Sequence, residues 1–310
     1  MADRAGTTTA PVGARLAESP LWVRSRRVGA LAGEALRKPT TALGAVIVVV
    51  LLAVALFAPL LVEPNQPDPY QLPRDWANVD APPGTAGHLL GTTSEGGDVF
   101  YGVVWGARLS VRLSLTVVAV AVAIGLVVGS LSAVIGGKVD EFLMRIVDVF
   151  MSVPELIFPL AIAAVLGPSF ANIILALSLV LWAKYARIIR SQILRVREST
   201  YVEATSAIGD SKLRIFVKDI LPNSITPMVV QATLEMGHVV LLGATLSFIG
   251  LAQAGLAEWG VLVSSGHRGI ASGYWWTSTF PGLMIFLWAL GFNLVGDGLR
   301  DALDPRTATR

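Results

Sequence analysis

The feature that most restricts the fold of this chain is an uncharged block of apolar residues at positions 41–62. A helix of about 20 such residues spans the hydrocarbon core of a bilayer. Five further apolar blocks follow, several of them interrupted by proline or glycine, which helices in lipid tolerate. The sequence therefore predicts an all-α integral membrane protein with six transmembrane helices, at residues 41–62, 111–135, 146–166, 171–189, 226–249 and 280–295.

The amino-acid composition agrees with a membrane protein and excludes several chemistries. Of the 310 residues, 54% are hydrophobic and 15% are charged, whereas a soluble domain carries about 25% charged residues. The chain has no cysteine, which excludes disulfides, thiolate metal sites and cysteine nucleophiles. Its formal net charge of +2 gives no indication of a nucleic-acid partner, and we predict none.

The distribution of positive charge predicts the orientation in the membrane. Residues 1–40 hold seven Lys or Arg, whereas the loop at residues 63–100 holds only Arg74 beside six acidic side chains. Residues 184–222 hold eight Lys or Arg. Because positively charged segments remain on the cytoplasmic side, we predict a protein of the inner membrane. Both termini and residues 184–222 then lie in the cytoplasm.

The same pattern divides the chain into segments. Positions 1–40 form a cytoplasmic tail whose first 20 residues have the composition of a disordered segment. The first apolar block begins too late for a signal peptide, so we predict that helix 41–62 is retained. A Pro-rich, extended external loop follows at positions 63–110. Positions 111–300 form a five-helix core, and positions 301–310 form a cytoplasmic C-terminal tail.

The sequence holds no recognisable catalytic site. Its three histidines, His88, His238 and His267, fall in different segments, and no Gly-x-Ser-x-Gly, His-Glu-x-x-His or phosphate-loop pattern occurs. We therefore predict that the chain is not an enzyme and carries no cofactor or metal of its own. If ATP is used, another chain binds it.

The charged stretch at residues 184–222 contains two predicted short helices. Ser199 or Thr200 can cap a helix at residues 201–208, with Glu203 in a capping box and Gly209 as the residue that ends it. Asp210 or Ser211 then caps a second helix that ends at Leu221-Pro222. Composition alone leaves two interpretations open, a helix lying on the membrane surface and a rigid element that docks on a partner.

Polar side chains also occur inside two predicted membrane helices. Gln231, Glu235 and His238 are spaced to share one face of the fifth helix. Because charge in lipid is costly, that face either lines a translocation pathway or makes polar contacts with other helices. Glu235 and His238 could also bind nickel, but two ligands do not make a site. Asn293 in the sixth helix is a similar candidate, and Asp148 is predicted to pair with Arg145.

Several motifs together resemble one family. The central motif is Glu203-Ala204-Thr205-x-x-x-Gly209, followed by Ile220-Leu221-Pro222-Asn223. The others are His88-Leu89-Leu90-Gly91-Thr92, Gly106-Ala107-Arg108-x-Ser110, Leu143-Met144-Arg145-x-Val147-Asp148, Tyr185-Ala186-Arg187-Ile188-x-Arg190, Leu246-Ser247-Phe248-Ile249-Gly250-Leu251, Glu258-Trp259-Gly260 and Phe292 to Pro305 with its run Gly296-Asp297-Gly298-Leu299-Arg300-Asp301-Ala302-Leu303-Asp304-Pro305. This collinear set resembles the membrane subunits of bacterial ABC importers, specifically the C-type subunit of the dipeptide/oligopeptide/nickel permease family.

The resemblance implies a complex and a role for the charged loop. Such a chain has the type I permease fold and pairs with a second homologous permease subunit. Two cytoplasmic ATPase subunits bind ATP and Mg²⁺, and an external solute-binding protein or lipoprotein delivers a peptide or another small solute. The loop at residues 199–222 would be the coupling element that contacts an ATPase. The residues implied in coupling are Tyr201, Glu203, Ala204, Gly209, Leu221 and Pro222.

The chain departs from the family pattern at a few positions. Thr205 replaces a second alanine, and Asp219 stands where histidine is frequent. Thr93, Gly97 and the proline-free segment 252–257 alter the external face. Two other classes of protein remain as alternatives, an ion-coupled secondary transporter and a membrane scaffold that transports nothing.

Overall fold

The computed structural model describes residues 38–303. The predicted disorder of the first 20 residues and most of both predicted tails lie outside these residues. Within them the chain forms helices, loops and isolated β-bridges. The α-helices are α1 Pro39–Leu61, α2 Val99–Ile135, α3 Gly137–Ser152, α4 Ile157–Leu166, α5 Phe170–Arg197, α6 Thr200–Ala207, α7 Lys212–Ile215, α8 Leu221–Ser224, α9 Thr226–Leu246, α10 Trp259–Gly266 and α11 Trp276–Leu303. Single π-helical turns follow α7 and α9 at Phe216–Ile220 and Ser247–Leu251, and a 3₁₀ turn, His267–Ser272, follows α10.

The all-α membrane fold predicted from the apolar blocks is confirmed. Among the described residues, five helices (α1, α2, α5, α9 with its π turn, and α11) are long and apolar enough to cross a membrane. The pair α3 and α4 makes a sixth span only if it is counted as one broken element, because the two helices meet at 86°.

The predicted third span, residues 146–166, is therefore not one straight helix. Pro154 has no amide hydrogen, and a proline disfavours helical backbone at the residue before it. Val153 accordingly has extended backbone angles of φ −95° and ψ 140°. The α3 segment carries most of the charged residues of this pair, whereas α4 is apolar throughout and only 10 residues long.

The second span begins earlier than predicted. Asp98 caps α2 by accepting a hydrogen bond from the backbone of Tyr101 at 2.7 Å. Residues 99–110, which we assigned to the loop, therefore extend the helix to 37 residues, about 55 Å. This additional part is buried by its neighbours, and Trp259 of α10 donates a hydrogen bond to the Val103 carbonyl at 3.0 Å. Apolar content alone missed the start because glycine, tryptophan and arginine interrupt the pattern there.

The fourth span extends further than predicted at its C-terminal end. Helix α5 continues to Arg197. Lys184 and Arg187, which lie within the predicted span, and Arg190, which follows it, therefore belong to one helix, although the charge count assigned all three to the cytoplasmic stretch at residues 184–222. Each of them pairs with an acid from another segment, as described below. These pairs allow cationic side chains to continue the helix beyond the apolar block that ends near Ile189.

Helices α2 and α5 pack closely because glycine faces α5 at two positions one turn apart. A Cβ atom on Gly125 would lie 2.4 Å from the Tyr185 Cβ, and one on Gly129 would lie 2.3 Å from the Ala186 carbonyl oxygen. The Gly-x-x-x-Gly spacing in α2 thus supports a contact within this chain.

The Pro-rich loop, residues 62–98, is folded rather than simply extended. Asp75 N donates to the Gly96 carbonyl at 2.9 Å, and Thr92 N donates to the Ala81 carbonyl at 3.0 Å. The loop is also fastened to the segment after α9, where Leu72 N donates to the Gly255 carbonyl at 2.9 Å. Six prolines lack the amide hydrogen that a ladder needs, so isolated bridges replace a regular sheet.

Candidate functional site

The first candidate region is a compact group of short helices between α5 and α9, which we call the helical knob (residues 199–224). Helix α6 starts after Ser199 and is capped at Ile208; the next residue, Gly209, has a φ of +95°, which suits glycine. Ser211 caps α7 by accepting from Arg214 N at 3.4 Å. Asn223 donates to the Tyr201 hydroxyl at 3.3 Å, which ties the end of the knob to its beginning.

Two local predictions for the knob were wrong. The Ser199 hydroxyl donates back to the Val196 carbonyl at 2.5 Å, and Ser199 makes no side-chain cap on α6, so the capping box with Glu203 does not form. Pro222 does not end the helix but lies in the first turn of α8, where a proline fits. A single residue with helical backbone angles, Ile225, separates α8 from α9.

The knob is anchored by a few buried side chains and exposes many others. Val202, Ile215 and Ile220 are buried against the membrane helices. Exposed large apolar side chains are Tyr201, Ile208, Leu213 and Val217, with Ile208 85% exposed and Leu213 72% exposed. Glu203, Ala204 and Gly209 are exposed as well, whereas Leu221 and Pro222 are half-buried. Several exposed large apolar side chains on one short segment are typical of a surface that contacts another molecule.

The second candidate region is a group of four charged or titratable side chains, Glu155, Lys184, Glu235 and His238, which we call the charged cluster. Lys184 Nζ lies 3.1 Å from Glu235 Oε2 and 3.6 Å from Glu155 Oε1. His238 Nε2 lies 3.1 Å from Glu155 Oε2. Glu235 is only 2% exposed, whereas the other three side chains are 36–39% exposed.

The structure joins three of the four predicted intramembrane residues to this cluster. Gln231 Nε2 donates to Glu235 Oε2 at 2.9 Å, and Glu235 and His238 belong to the cluster itself. These three share one face of α9, as their spacing predicted. Asn293 is exposed on α11, and its amide donates to the Ala289 carbonyl within its own helix at 2.9 Å.

Sequence reasoning missed the other two members of the cluster. Lys184 was counted with the loop cations, and Glu155 was not singled out at all. Glu155 follows Pro154, and Lys184 follows Trp182-Ala183, so each is a charge within an apolar stretch. A charge in such a position is a signal that could have identified them.

The cluster lies at the break between α3 and α4. Glu155 belongs to the four residues that separate the two helices. A cavity of about 460 Å³ opens there, lined by Phe150, Pro154 and Glu155 on one side and by Val180 and Lys184 on the other. Non-helical backbone at membrane depth is tolerated where it lines a cavity or is buried in protein.

The cluster also has three side chains of the kind that bind metals. The ligand atoms of Glu155, Glu235 and His238 lie within 4.8 Å of one another, so the structure adds a third ligand to the two that the sequence suggested. The Lys184 ammonium already lies between the two carboxylates, however. A metal ion would have to displace or repel this cation.

Two ion pairs fasten α3 to α5 near the cluster. Arg190 makes a bidentate pair with Asp140, with both N···O distances 2.6 Å. Asp148 pairs with Arg187 and not with Arg145 as predicted. Arg145 lies 3.9 Å from Glu141 on its own helix. The prediction failed because it considered only neighbours along the chain.

The Pro-rich loop contains a separate titratable group. His88 Nδ1 lies 2.6 Å from Asp98 and its Nε2 lies 3.2 Å from Asp75, with the ring only 12% exposed. The hydrogen bond to Asp98, and a weaker one to Asp75, raise the pKa of His88 above its ordinary value. Hydrogen bonds from Asn78 and then from His88 lower the pKa of Asp75.

The fold places this chain in a known class of membrane protein. Similar solved structures include the methionine ABC transporter MetNI in inward-facing conformations, with a TM-score of 0.53 at 21% identity, covering 66% of this chain and 98% of that chain. An amino acid ABC transporter matches with a TM-score of 0.51 at 19% identity, covering 63% and 91% of the two chains. The fold is thus that of an ABC importer permease.

The chain belongs to the family of binding-protein-dependent transport system inner membrane components, whose model matches residues 121–309. It is 43% identical over 271 residues to the "Probable D,D-dipeptide transport system permease protein DdpC" of Escherichia coli (strain K12), covering 86% of this chain and 88% of the relative. The dipeptide transport system permease protein DppC of Alkalihalophilus pseudofirmus is 38% identical over 85% and 84% of the two chains. The nickel transport system permease protein NikC of Escherichia coli (strain K12) is 36% identical over 86% and 94%.

This membership confirms the predicted family and selects among the alternatives. The chain is a permease subunit of an ABC importer in the inner membrane. The secondary transporter and the scaffold are therefore set aside. As a member of this family the chain works with ATPase and other subunits.

Proposed function

We propose that this permease moves peptides, or a related small solute, into the cytoplasm, and that the helical knob is its contact with separate ATPase subunits. In this proposal two ATP-binding subunits hold ATP and Mg²⁺, and this chain contributes no ATPase site and no cofactor. A second homologous permease completes the pore. An external solute-binding protein or lipoprotein delivers the substrate, and membrane lipid surrounds the apolar faces.

The observation that carries the proposal is the position of the knob between two helices of the charged cluster. The knob follows α5, which bears Lys184, and precedes α9, which bears Glu235 and His238. The knob packs against the membrane helices through the buried side chains of Val202, Ile215 and Ile220. The side chains of Ile208 and Leu213 are exposed. A displacement imposed on the exposed side would therefore be transmitted to both helices.

The orientation follows from the charge distribution. With the positive-inside rule, the knob and both termini are cytoplasmic and the Pro-rich loop is external. The loop and the segment 250–268 border a cavity of about 340 Å³ that includes Arg74, Glu95 and Arg268. We assign this face to contact with the solute-binding protein. Two positions that depart from the family pattern, Thr93 and Gly97, meet here, because Gly97 N donates to Thr93 Oγ1 at 2.9 Å.

The substrate class is inferred from the relatives. Two of the relatives described above are named for dipeptide transport and one for nickel transport. We favour a peptide because Lys184 occupies the position between the carboxylates that a metal ion would need.

The mechanism that fits these elements is alternating access. Closure of the ATPases on ATP would push the knob, and α5 and α9 would then shift against the break between α3 and α4. The contacts at that break, Glu155 to His238 and Glu155 to Lys184, join three separate segments. Their rearrangement would open the pathway to one side of the membrane and then to the other.

The test is to replace Glu203 and Gly209 together by Gln and Ala. We expect the variant to insert and to pair with the second permease, but to lose copurifying ATPase and ATP-driven uptake. The matched control is Glu141→Gln on α3, an exposed carboxylate outside the knob, which should leave both unchanged. Normal uptake and normal ATPase recovery in the double variant would contradict the docking proposal.

A further inference from the structure

The cavity at the helix break has the size and the walls of a small-molecule site. Its volume of about 460 Å³ falls within the roughly 300–1,000 Å³ of typical ligand pockets. Apolar side chains such as Phe150, Val180 and Leu181 form most of its surface, and Glu155 and Lys184 supply the charges. Apolar walls with few convergent polar groups are the usual composition of such sites.

The charges around this cavity are not balanced. Two carboxylates, Glu155 and Glu235, face one ammonium, Lys184, so the cluster carries one net negative charge when His238 is neutral. Lys184 lies closer to Glu235, at 3.1 Å, than to Glu155, at 3.6 Å, and among the described residues its hydrogen bonds shorter than 3.5 Å go to Glu235. Glu155 is therefore the carboxylate with the weaker contact to Lys184.

One oxygen of Glu155 lacks a hydrogen bond of normal length. Within residues 38–303, Glu155 Oε1 is enclosed by protein and accepts no hydrogen bond within 3.5 Å; the Lys184 ammonium lies 3.6 Å from it, whereas Oε2 faces His238 at 3.1 Å. An enclosed acceptor without a close donor is unfavourable. A hydrogen bond from an N–H group of another molecule would therefore stabilise Glu155 Oε1.

We propose that Glu155 receives the primary ammonium group of the transported solute, such as the amino terminus of a peptide, during its passage; this rests on the proposed peptide substrate. An ammonium brings up to three N–H donors and one positive charge, which matches the oxygen without a close hydrogen bond and the net negative charge of the cluster with His238 neutral. A carboxylate on the solute would bind less well, because its possible cationic partner, Lys184, is already paired with Glu235. A divalent cation would bring twice the charge against the same lysine.

The absence of cysteine allows a direct occupancy assay on the assembled importer in nanodiscs, without solute-binding protein. Ser152 is exposed and lines the cavity beside the break, so Ser152→Cys places a thiol there whose maleimide labelling on this chain can be followed. The probes are dialanine, N-acetyl-dialanine and propylammonium. We expect dialanine and propylammonium to slow labelling, and N-acetyl-dialanine to leave the rate unchanged.

A second substitution tests the role of Glu155. In the Ser152→Cys background, Glu155→Gln should raise the dialanine concentration needed for half-protection by about 10- to 100-fold, the usual value of a hydrogen bond to a charged group. Glu155→Asp should recover part of the protection. The matched control Glu141→Gln, an exposed carboxylate on α3 that does not line the cavity, should change nothing. If the Glu155→Gln variant does not assemble into the importer, comparing protection by dialanine and by N-acetyl-dialanine on the Ser152→Cys variant alone tests the proposal.

Several results would overturn the inference. Equal protection by dialanine and its acetylated form, or protection unaffected by Glu155→Gln, would exclude an ammonium site. Protection by Ni²⁺ alone but not by the amines would assign the cluster to metal binding instead. If no ATPase copurifies, the proposed function fails, while the labelling assay on the permease pair still reports on Glu155. If the complex hydrolyses ATP and imports peptide but dialanine gives no protection, only this inference fails.

Discussion

The helical knob and the charged cluster are assembled in opposite ways. The knob is one continuous segment, residues 199–224, whose turns are made by its own local residues such as Gly209 and Ser211. The cluster brings together residues that are distant in the chain. Lys184 meets Glu235 across 51 positions, and His238 meets Glu155 across 83.

This difference has a thermodynamic consequence. The polar side chains of the knob are mostly in contact with water, where substitutions change stability little. The cluster contains Glu235, which is 2% exposed, and a buried charge without its partner is strongly unfavourable. We therefore expect substitutions in the cluster to reduce stability, and substitutions of exposed polar side chains in the knob to reduce coupling at nearly constant stability.

The largest expected effect is on the Lys184–Glu235 pair. Lys184→Met leaves the buried Glu235 carboxylate with the Gln231 amide as its remaining donor among residues 38–303, so the free energy of unfolding should fall by up to about 3–5 kcal/mol. Lys184→Met combined with Glu235→Leu should recover most of it, because no unpaired charge remains. Thermal unfolding of the purified complex measures both.

The matched comparison for this pair is Glu203→Gln in the knob. Because Glu203 is exposed and no salt bridge to it is found among the described residues, its replacement should cost less than about 0.5 kcal/mol. If Lys184→Met cost no more than Glu203→Gln, the contrast between the two regions would be wrong.

A smaller effect is expected where α2 supports the helix that carries Lys184. Gly129→Val would place a Cβ atom 2.3 Å from the Ala186 carbonyl oxygen and 2.4 Å from an Ile189 methyl group. Overpacking of this kind costs roughly 1–3 kcal/mol. The control is Gly282→Ala in α11, where a Cβ atom meets nothing within 4 Å. Equal melting temperatures for the two variants would show that the α2–α5 contact accommodates the larger side chain without loss of stability.

In the knob, the single change Gly209→Ala separates strain from coupling. Gly209 has a φ of +95° with open space around it, so alanine adds backbone strain of roughly 1–2 kcal/mol but no clash. Gly167→Ala is the control, because Gly167 has a φ of +86° in equally open space outside the knob. Only Gly209→Ala should reduce ATPase recovery and uptake. A similar loss from both variants would attribute the effect to strain in general.

The smallest effect concerns the Pro-rich loop, which like the cluster pairs a histidine with carboxylates but lies outside the membrane helices. Because the pKa of His88 is raised above 6.5 in the fold, its pairs stabilise the loop fully below pH 6.5. This contribution is lost as pH rises through the higher folded-state pKa. Asp75 acts in the opposite sense, since its pKa is lowered from 3.8 and its contribution is lost only in acid.

Hydrogen exchange of residues 85–98, corrected for its intrinsic pH dependence, measures this stability. Exchange should be slower at pH 6 than at pH 9, and His88→Asn should remove the difference. A pH dependence that persists in His88→Asn would assign it to another group.

Local sequence signals predicted much of the fold and of the knob. Apolar blocks near the length of a bilayer indicated the spans, and Gly209 and Ser211 indicated where short helices end and begin. The common face of Gln231, Glu235 and His238 followed from helical spacing alone. These features depend on neighbours within one or two turns, which is the range over which a sequence pattern can be read directly.

Contacts between distant segments could not be obtained in this way. Pro154 indicates a break, but the angle of 86° depends on how α4 packs against α5. Lys184 appeared to be a loop cation because its partners, Glu155 and Glu235, lie on other segments. Asp148 met Arg187 rather than Arg145 for the same reason. The positions of the helices along the chain thus follow from hydrophobicity and turn chemistry, whereas the pairing of charges at the cavity is determined by tertiary packing, because a buried charge is stable only beside a partner that the fold supplies.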